Sequence, residues 1–314
     1  MLRKKLLLIV SLFAIITTLT ACGQPQQGTE ESQQEQNQAQ GNNGYIQIKG
    51  SDTSVNLTQM WAEDYMENND TSISVTGGGS GTGIAALINN KVDIANASRA
   101  MKDKEVKQAQ DNGVEAVEIV VAMDGLSVIV NENNPIKDLT VDQIGSIFKG
   151  EITNWSEIGG PDKKITTYGR QSNSGTFVYF RDHVLNGDYT AEMNRMNGNA
   201  QLVEAVKADE GAIGYVGIGY VVKNGKVVEG LNVLNVAKDD NSEAASPLKA
   251  ENVKTGDYPL ARPLYQYTNG KAAGAILDFI KYELSEKGQE LAVKEGFYPV
   301  SPEYTEQNKR NLGE

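Results

Sequence analysis

Three short stretches hold the residue types that either bind anions or attack carbonyl and phosphoryl centres. They are Gly50-Ser51-Asp52-Thr53-Ser54, the run GGGSGTG from Gly77 to Gly83, and GRQSNSGTF from Gly169 to Phe177. Each follows an apolar, strand-like run and precedes a segment with helical spacing. The first turn of a helix carries unpaired N–H groups and a partial positive charge, which together bind anions. Glycine lets a ligand approach the backbone, and serine or threonine adds a hydroxyl donor. Taken singly, such a stretch is usually an N-cap or an ordinary turn. Three of one kind, one of them with Arg170 four residues before Ser174, favour an anion site.

Catalytic readings fare worse. GGGSGTG is not a P-loop, because no Gly-Lys-Ser/Thr follows it. A dinucleotide fingerprint is met only by the variant Gly81-x-Gly83-x-x-Ala86. A serine nucleophile needs a base beside it. The one histidine, His183, lies nine residues after Ser174, about 13 Å along a helix at ~1.5 Å per residue, so a surface position is expected for it. No Ser-x-x-Lys stands in a suitable context. No histidine–carboxylate cluster has metal-site spacing, and the single cysteine excludes cysteine-based zinc sites and intrachain disulfides. No metal, no cofactor and no enzymatic activity are expected.

The elements that must hold these stretches alternate. Tyr45–Ile48 reads as a strand, and Val55–Asn68 as a helix with Leu57, Met60, Trp61 and Tyr65 on one face. Ser72–Val75 and Val92–Ala95 are strands on either side of GGGSGTG and the helix IAALINN. Two apolar strands break at Asp124-Gly125. Val141–Phe148 is a helix, Lys164–Tyr168 and Gly211–Val216 are strands, and Lys238–Thr255 reads as a polar surface loop. Arg262–Tyr265 begins an extended segment, Gly274–Glu283 is a helix, and Tyr298–Val300 a terminal strand or turn. Strand, polar turn and helix in repetition is an α/β pattern.

The ends and the charge restrict partners. Arg3, Lys4 and Lys5 precede an apolar run of 14 residues, Leu6 to Leu19, shorter than the roughly 20 a membrane span needs. With Leu19-Thr20-Ala21-Cys22 this is a secretory signal, residues 1–21, ending in a sequence similar to a bacterial lipoprotein lipobox, with Cys22 as the lipidated (palmitate-bearing) first residue. Residues 22–44 contain no apolar side chain larger than alanine after Cys22, and read as a flexible tether. About 270 residues remain, enough for one large domain or two medium ones. The net charge is -12 and more acidic once the basic leader is removed. That excludes nucleic acid and an anionic membrane surface as partners, but not a small anion held locally.

Arg170-x-x-x-Ser174-Gly175-Thr176-Phe177 resembles the central motif of the phosphate-binding proteins of bacterial phosphate ABC transporters, the PstS type. GSDTS with the Trp61 helix, GGGSGTG with VDIANASR, Asp124 to Asn131, and Ile152-Thr153-Asn154-Trp155 are similar to further stretches of that family. The resemblance implies a two-lobed α/β fold of periplasmic-binding-protein type II. Its two hinge crossovers would lie near Ala122–Asp124 and Ala261–Pro263, with lobe I at 45–123 plus 262–314 and lobe II at 124–261. It implies phosphate bound between the lobes by Arg170, Ser174, Gly175, Thr176, Ser80, Gly81, Thr53 and Ser54, with Ser51 a secondary candidate. Where well-known members carry a proton-accepting aspartate, this chain has Ser98-Arg99. Arg99 is then either a second cation for the ligand or the partner of a nearby carboxylate, and Asp52 or Asp124 becomes the candidate acceptor.

The implied function is an extracytoplasmic, membrane-anchored lipoprotein, monomeric, that captures inorganic phosphate and delivers it to the permease and ATPase subunits of an ABC transporter, touching the membrane through its lipid alone. The alternatives are a receptor for another oxyanion (sulfate, molybdate or tungstate), an adhesion or regulatory lipoprotein, and a phosphoester-processing enzyme.

Overall fold

The computed structural model describes residues 44–223 and 225–314. The leader, Cys22 and the tether to residue 43 lie outside the described residues. In chain order the strands are β1 (Tyr45–Gly50), β2 (Ser72–Thr76), β3 (Ile94–Ala97), β4 (Ala116–Gly125), β5 (Ser127–Asn131), β6 (Asp138–Thr140), β7 (Thr166–Arg170), β8 (Asn194–Met196), β9 (Ala212–Val216), β10 (Val222–Lys223), β11 (Lys226–Val227), β12 (Leu231–Val233), β13 (Asn235–Ala237) and β14 (Ala261–Asn269). The helices are α1 (Val55–Met66), α2 (Ser80–Ile88), α3 (Asp103–Asp111), α4 (Val141–Lys149), α5 (Gly175–Phe180), α6 (Asn199–Ala208), α7 (Ala250–Thr255), α8 (Gly274–Leu284), α9 (Glu286–Lys294) and α10 (Pro302–Leu312).

Two five-stranded sheets organise the α/β fold, in the orders β2-β1-β3-β14-β4 and β12-β5-β9-β7-β8. Strands β1, β2 and β3 are parallel, while β14 runs antiparallel between β3 and β4. The chain leaves the first sheet at the end of β4 and returns to it at the start of β14. These two passages lie side by side, with Ala261 opposite Gly125, Arg262 opposite Asp124 and Pro263 opposite Met123. One apolar core runs across both sheets, joining Ile48 and Ile94 of the first to Ile129 and Val216 of the second, and contains Trp61; another, built mainly on the second sheet, contains Trp155. Trp61 donates to the Gly288 carbonyl at 2.7 Å, and Trp155 to that of Gly211 at 3.1 Å.

Several elements depart from the sequence reading. Helix α2 starts at Ser80, inside the glycine run rather than after it. Gly79 takes φ 90° at the N-cap, and a Cβ at Gly83 would stand 2.3 Å from the Lys49 carbonyl oxygen. The glycines therefore let the helix begin early and lie against the β1 backbone. The polar stretch before residue 255 ends in helix α7, and helices α3, α6, α9 and α10 form where no element was expected. Their apolar faces are narrow, which weakens a periodicity signal. Helix α5 stops after six residues and gives way to a π-helical turn, Arg181–Leu185, that carries the exposed His183.

One buried acid sits in the first core. Glu283 accepts a hydrogen bond from Gln266 Nε2 at 2.9 Å, and both its Oε2 and Gln266 Oε1 lack a partner among the described residues. Burial raises its pKa well above the ordinary 4.5, and a proton on the carboxyl gives these acceptors a donor. Because the folded pKa lies above the unfolded one, this group's stabilisation is complete below about pH 4.5. It declines as pH rises toward the folded value, by about 1.4 kcal/mol per unit of separation. Glu283→Gln, which keeps a donor and cannot ionise, should shrink the fall in Tm between pH 4.5 and pH 7.5. An unchanged fall in calorimetric scans would show that this carboxyl does not titrate in that window.

Candidate functional site

The three donor-rich turns meet. In the first, Ser51 is bonded through its amide to the Asn96 carbonyl at 2.9 Å, and its hydroxyl accepts from the Thr53 amide at 3.1 Å. Ser51 thus shapes the turn and leaves the Thr53 hydroxyl free to reach outward. That hydroxyl lies 2.8 Å from the Thr176 hydroxyl, which starts helix α5 in the other sheet's layer. Thr176 Oγ1 is 3.4 Å from Ser98 Oγ, and Ser98 Oγ is 3.3 Å from Ser80 Oγ, at the start of α2. The Ser98 amide also donates to Ser80 Oγ at 3.0 Å. All four residues are buried. A Cβ added at Gly175 would fall 2.2 Å from Ser80 Oγ and 2.6 Å from Ser98 Oγ. Only glycine lets the α5 backbone come this close to the hydroxyls of the first sheet.

Two buried arginines flank this row. Arg170, 1% exposed, directs Nη2 to Asp52 Oδ2 at 2.5 Å and to the Asn197 carbonyl at 3.2 Å, Nη1 to Asn199 Oδ1, and Nε to Gln171 Oε1 at 3.1 Å. Its amide donates to the Tyr215 hydroxyl at 3.2 Å, so the aromatic core that stacks Tyr215 on Phe180 at 4.0 Å also positions the arginine. Arg262 donates to Asp124 Oδ2 from Nε and Nη2 at 3.0 and 2.8 Å, to the Ser98 carbonyl from Nη1 at 3.0 Å, and to Thr176 Oγ1 from Nη2 at 2.9 Å. A guanidinium has five N–H donors, and among the described residues each of these two keeps an Nη1 hydrogen uncommitted.

The structure assigns distinct places to the remaining candidates. Ser54 closes the first turn, its carbonyl accepting from both the amide and the hydroxyl of Thr58. Ser174 accepts from the Phe177 amide at 3.4 Å as the N-cap of α5. The Gly81 amide is taken by the Asn173 carbonyl at 2.9 Å, and Asn173 Nδ2 returns bonds to the Gly78 carbonyl and Thr82 Oγ1. Gly81 therefore ties the second turn to the third. Asp52 does not cap α1: its Oδ1 accepts the Gly78 amide at 2.7 Å and its Oδ2 accepts Arg170. Asp124 accepts from Arg262 and from the Ile218 amide at 2.9 Å. Arg99 faces away from the hydroxyl row. Its guanidinium forms a two-pronged pair with Glu105, both bonds at 2.7 Å, so it is the carboxylate partner that it finds.

Sequence reasoning missed Ser98 and Arg262 as site residues. Ser98 stood only as the replacement for an expected aspartate. Arg262 was placed at a crossover without a role, although an arginine opening a buried strand was a usable signal. Among the described residues no group of three His, Cys, Asp or Glu is arranged to hold a metal ion. The two arginines are each matched by one aspartate. What faces the centre is therefore a set of hydroxyls and first-turn amides, an array suited to holding an oxyanion.

Two sheets joined by paired passages, with anion donors converging from both, define a binding protein of the periplasmic-binding type. A family model described as a PBP superfamily domain matches residues 32–287. The chain is 34% identical over 299 residues to the phosphate-binding protein PstS of Pseudomonas aeruginosa, covering 89% of this chain and 90% of that one. It is 35% identical over 256 residues to the PstS of Staphylococcus aureus, covering 79% and 75%. A crystal structure from Clostridium perfringens, solved with bound phosphate and described as a phosphate ABC transporter substrate-binding protein, superposes with a TM-score of 0.72 at 31% identity, covering 82% of this chain and 100% of that one. The chain belongs to the PBP superfamily, among its PstS-type phosphate-binding proteins.

Gly175→Ala tests the convergence directly. The added methyl would force α5 away from Ser80 and Ser98, an overpacking cost of about 1–3 kcal/mol, or roughly 5- to 150-fold in anion affinity. Anion affinity should fall in that range while circular dichroism stays unchanged. Full affinity in the variant would mean that the two layers need not approach this closely.

Proposed function

We infer that this protein captures inorganic phosphate for an ABC transporter, acting as a binding component and not as a catalyst. The observation that carries this is the meeting of the Thr53, Ser80, Ser98 and Thr176 hydroxyls between Arg170 and Arg262. Phosphate would take bonds from those hydroxyls, from the first-turn amides of α5 at Gly175 and Thr176, and from the free guanidinium hydrogens. In this reading residues 45–123 with 262–314 form one lobe and 124–261 the other, and the lobes close over the anion by hinge motion at the paired passages.

Selectivity rests on a proton acceptor. Near neutral pH phosphate carries at least one proton and sulfate carries none, so a carboxylate facing the ligand favours phosphate. A site built around a ligand's hydrogen-bond donor rejects an analogue without it by about 10⁴–10⁵. We assign this role to Asp52, at the meeting of the first and second turns beside Arg170, with Asp124 as the reserve. Asp52→Asn removes the negative charge and replaces one acceptor oxygen with an N–H donor, leaving the Arg170 charge unmatched, so it should weaken phosphate and strengthen sulfate binding. Calorimetric titration of the mature domain with phosphate, sulfate and molybdate should show phosphate strongly preferred by the parent and the gap to sulfate narrowed in the variant. Selectivity undiminished by Asp52→Asn would move the acceptor to Asp124 or to a backbone carbonyl. Preference of the parent for sulfate or molybdate would make the protein a receptor for that anion.

The leader sequence supports anchoring at the outer membrane-facing end of the chain. Cys22 would carry the lipid, and residues 22–44 would let a monomeric receptor reach the permease, with the ATPase subunits behind it. Cys22→Ala should release the protein into the soluble fraction with phosphate affinity unaltered. Persistence of the variant in washed membranes would rule out this anchor.

A further inference from the structure

A cavity of about 160 Å³ opens beside Ser98 and Arg262, two residues that also contact the hydroxyl row. That is roughly ten times the 10–15 Å³ required to hold one water. Its walls include Ser98, Arg99, Lys102, Tyr179, His183 and Arg262. The cations are unusually concentrated for so acidic a chain. Arg262 stacks on the Tyr179 ring, 5.1 Å from guanidinium carbon to centroid, and Tyr179 stacks on His183 at 4.2 Å. The carboxylates nearby are already engaged: Asp124 by Arg262, Glu105 by Arg99, and Asp182, which also lines the cavity, by Arg181 at 2.6 Å.

Two donors remain without partners. Arg99 is 7% exposed, and its Nε has no hydrogen-bond partner among the described residues. Lys102 is half-buried and has no carboxylate within salt-bridge distance among the described residues. Burial, with Arg99 and Arg181 close by, holds the Lys102 ammonium below the usual lysine pKa against the opposing pull of Glu105 and Asp182. An unpaired buried donor and an uncompensated cation on one small cavity both gain from a filled anion position.

We propose that this cavity is a second, weaker oxyanion site, held by Lys102 and Arg99 and sharing Ser98 and Arg262 with the first as a common wall. Its ligand class is a small inorganic oxyanion of phosphate or sulfate size. The site goes beyond the transport reading: Ser98 and Arg262 are common to both, but Lys102 and His183, which hold and report the second anion, lie outside the hydroxyl row.

The chain offers a built-in reporter, because His183 is its only histidine and stands on the cavity wall. The protein is first loaded with one equivalent of phosphate to occupy the main cleft. Sulfate is then titrated while the imidazole carbon-bound proton signals are followed by NMR, against sodium chloride at matched ionic strength. The expected result is a saturable sulfate response with a midpoint of roughly 1 mM, absent with chloride. Lys102→Gln should weaken it about tenfold, the scale of one charge-assisted hydrogen bond, and leave phosphate affinity in the main cleft unchanged. A linear response equal to that of chloride, or a saturable response of the same midpoint in Lys102→Gln, would overturn the proposal. Omitting the phosphate separates the two readings, since failure of the main cleft to bind phosphate would leave the His183 response in place.

Discussion

The Asp124–Arg262 pair is the constraint on which the molecule turns. Its side chains are 0% and 1% exposed, at facing positions where β4 leaves the first sheet and β14 returns to it. Removing two such ions from water costs several kcal/mol each, and the cost is offset only when their remaining valences are also met. Here they are: the carboxylate receives the Ile218 amide as well as two guanidinium bonds, and the guanidinium reaches the Ser98 carbonyl and the Thr176 hydroxyl. One pair thereby fixes the two passages, the end of β3 and the start of α5 relative to one another. Two members of the hydroxyl row, Ser98 and Thr176, are tied to it directly.

Because each central arginine has its own aspartate, these four groups together bring no net charge to the proposed site. Binding would rest on oriented hydroxyls and amides, which are short-ranged and directional, rather than on a broad positive field. This is compatible with a chain whose overall charge is -12.

Much of this was legible in the sequence because the relevant signals are local. The turn before α1, the N-cap serine of α5 and the apolar runs around Asp124-Gly125 need only a few neighbouring residues to be recognised. The partners of Arg170, Arg262 and Arg99 were not legible. Arg170 meets Asp52 across 118 residues and Arg262 meets Asp124 across 138, and no spacing rule reaches that far. Arg99 and Glu105 stand only six apart, yet their pairing depends on how the chain bends between β3 and α3. The early start of α2 was hidden for a different reason: glycines that usually interrupt a helix here admit one, because the space beside them is occupied by the β1 backbone.

Asn173 gives the second and third turns a direct link that involves no ligand. Its carbonyl takes the Gly81 amide, and its side chain grips the Gly78 carbonyl and the Thr82 hydroxyl. The effect of such a link is on time rather than on strength alone. In the proposed reading an anion held behind it would escape no faster than those bonds part, whereas arrival would depend on how often the turns stand apart. A substitution at Asn173 would then change the dwell time of the loaded protein without removing any group proposed to hold the anion.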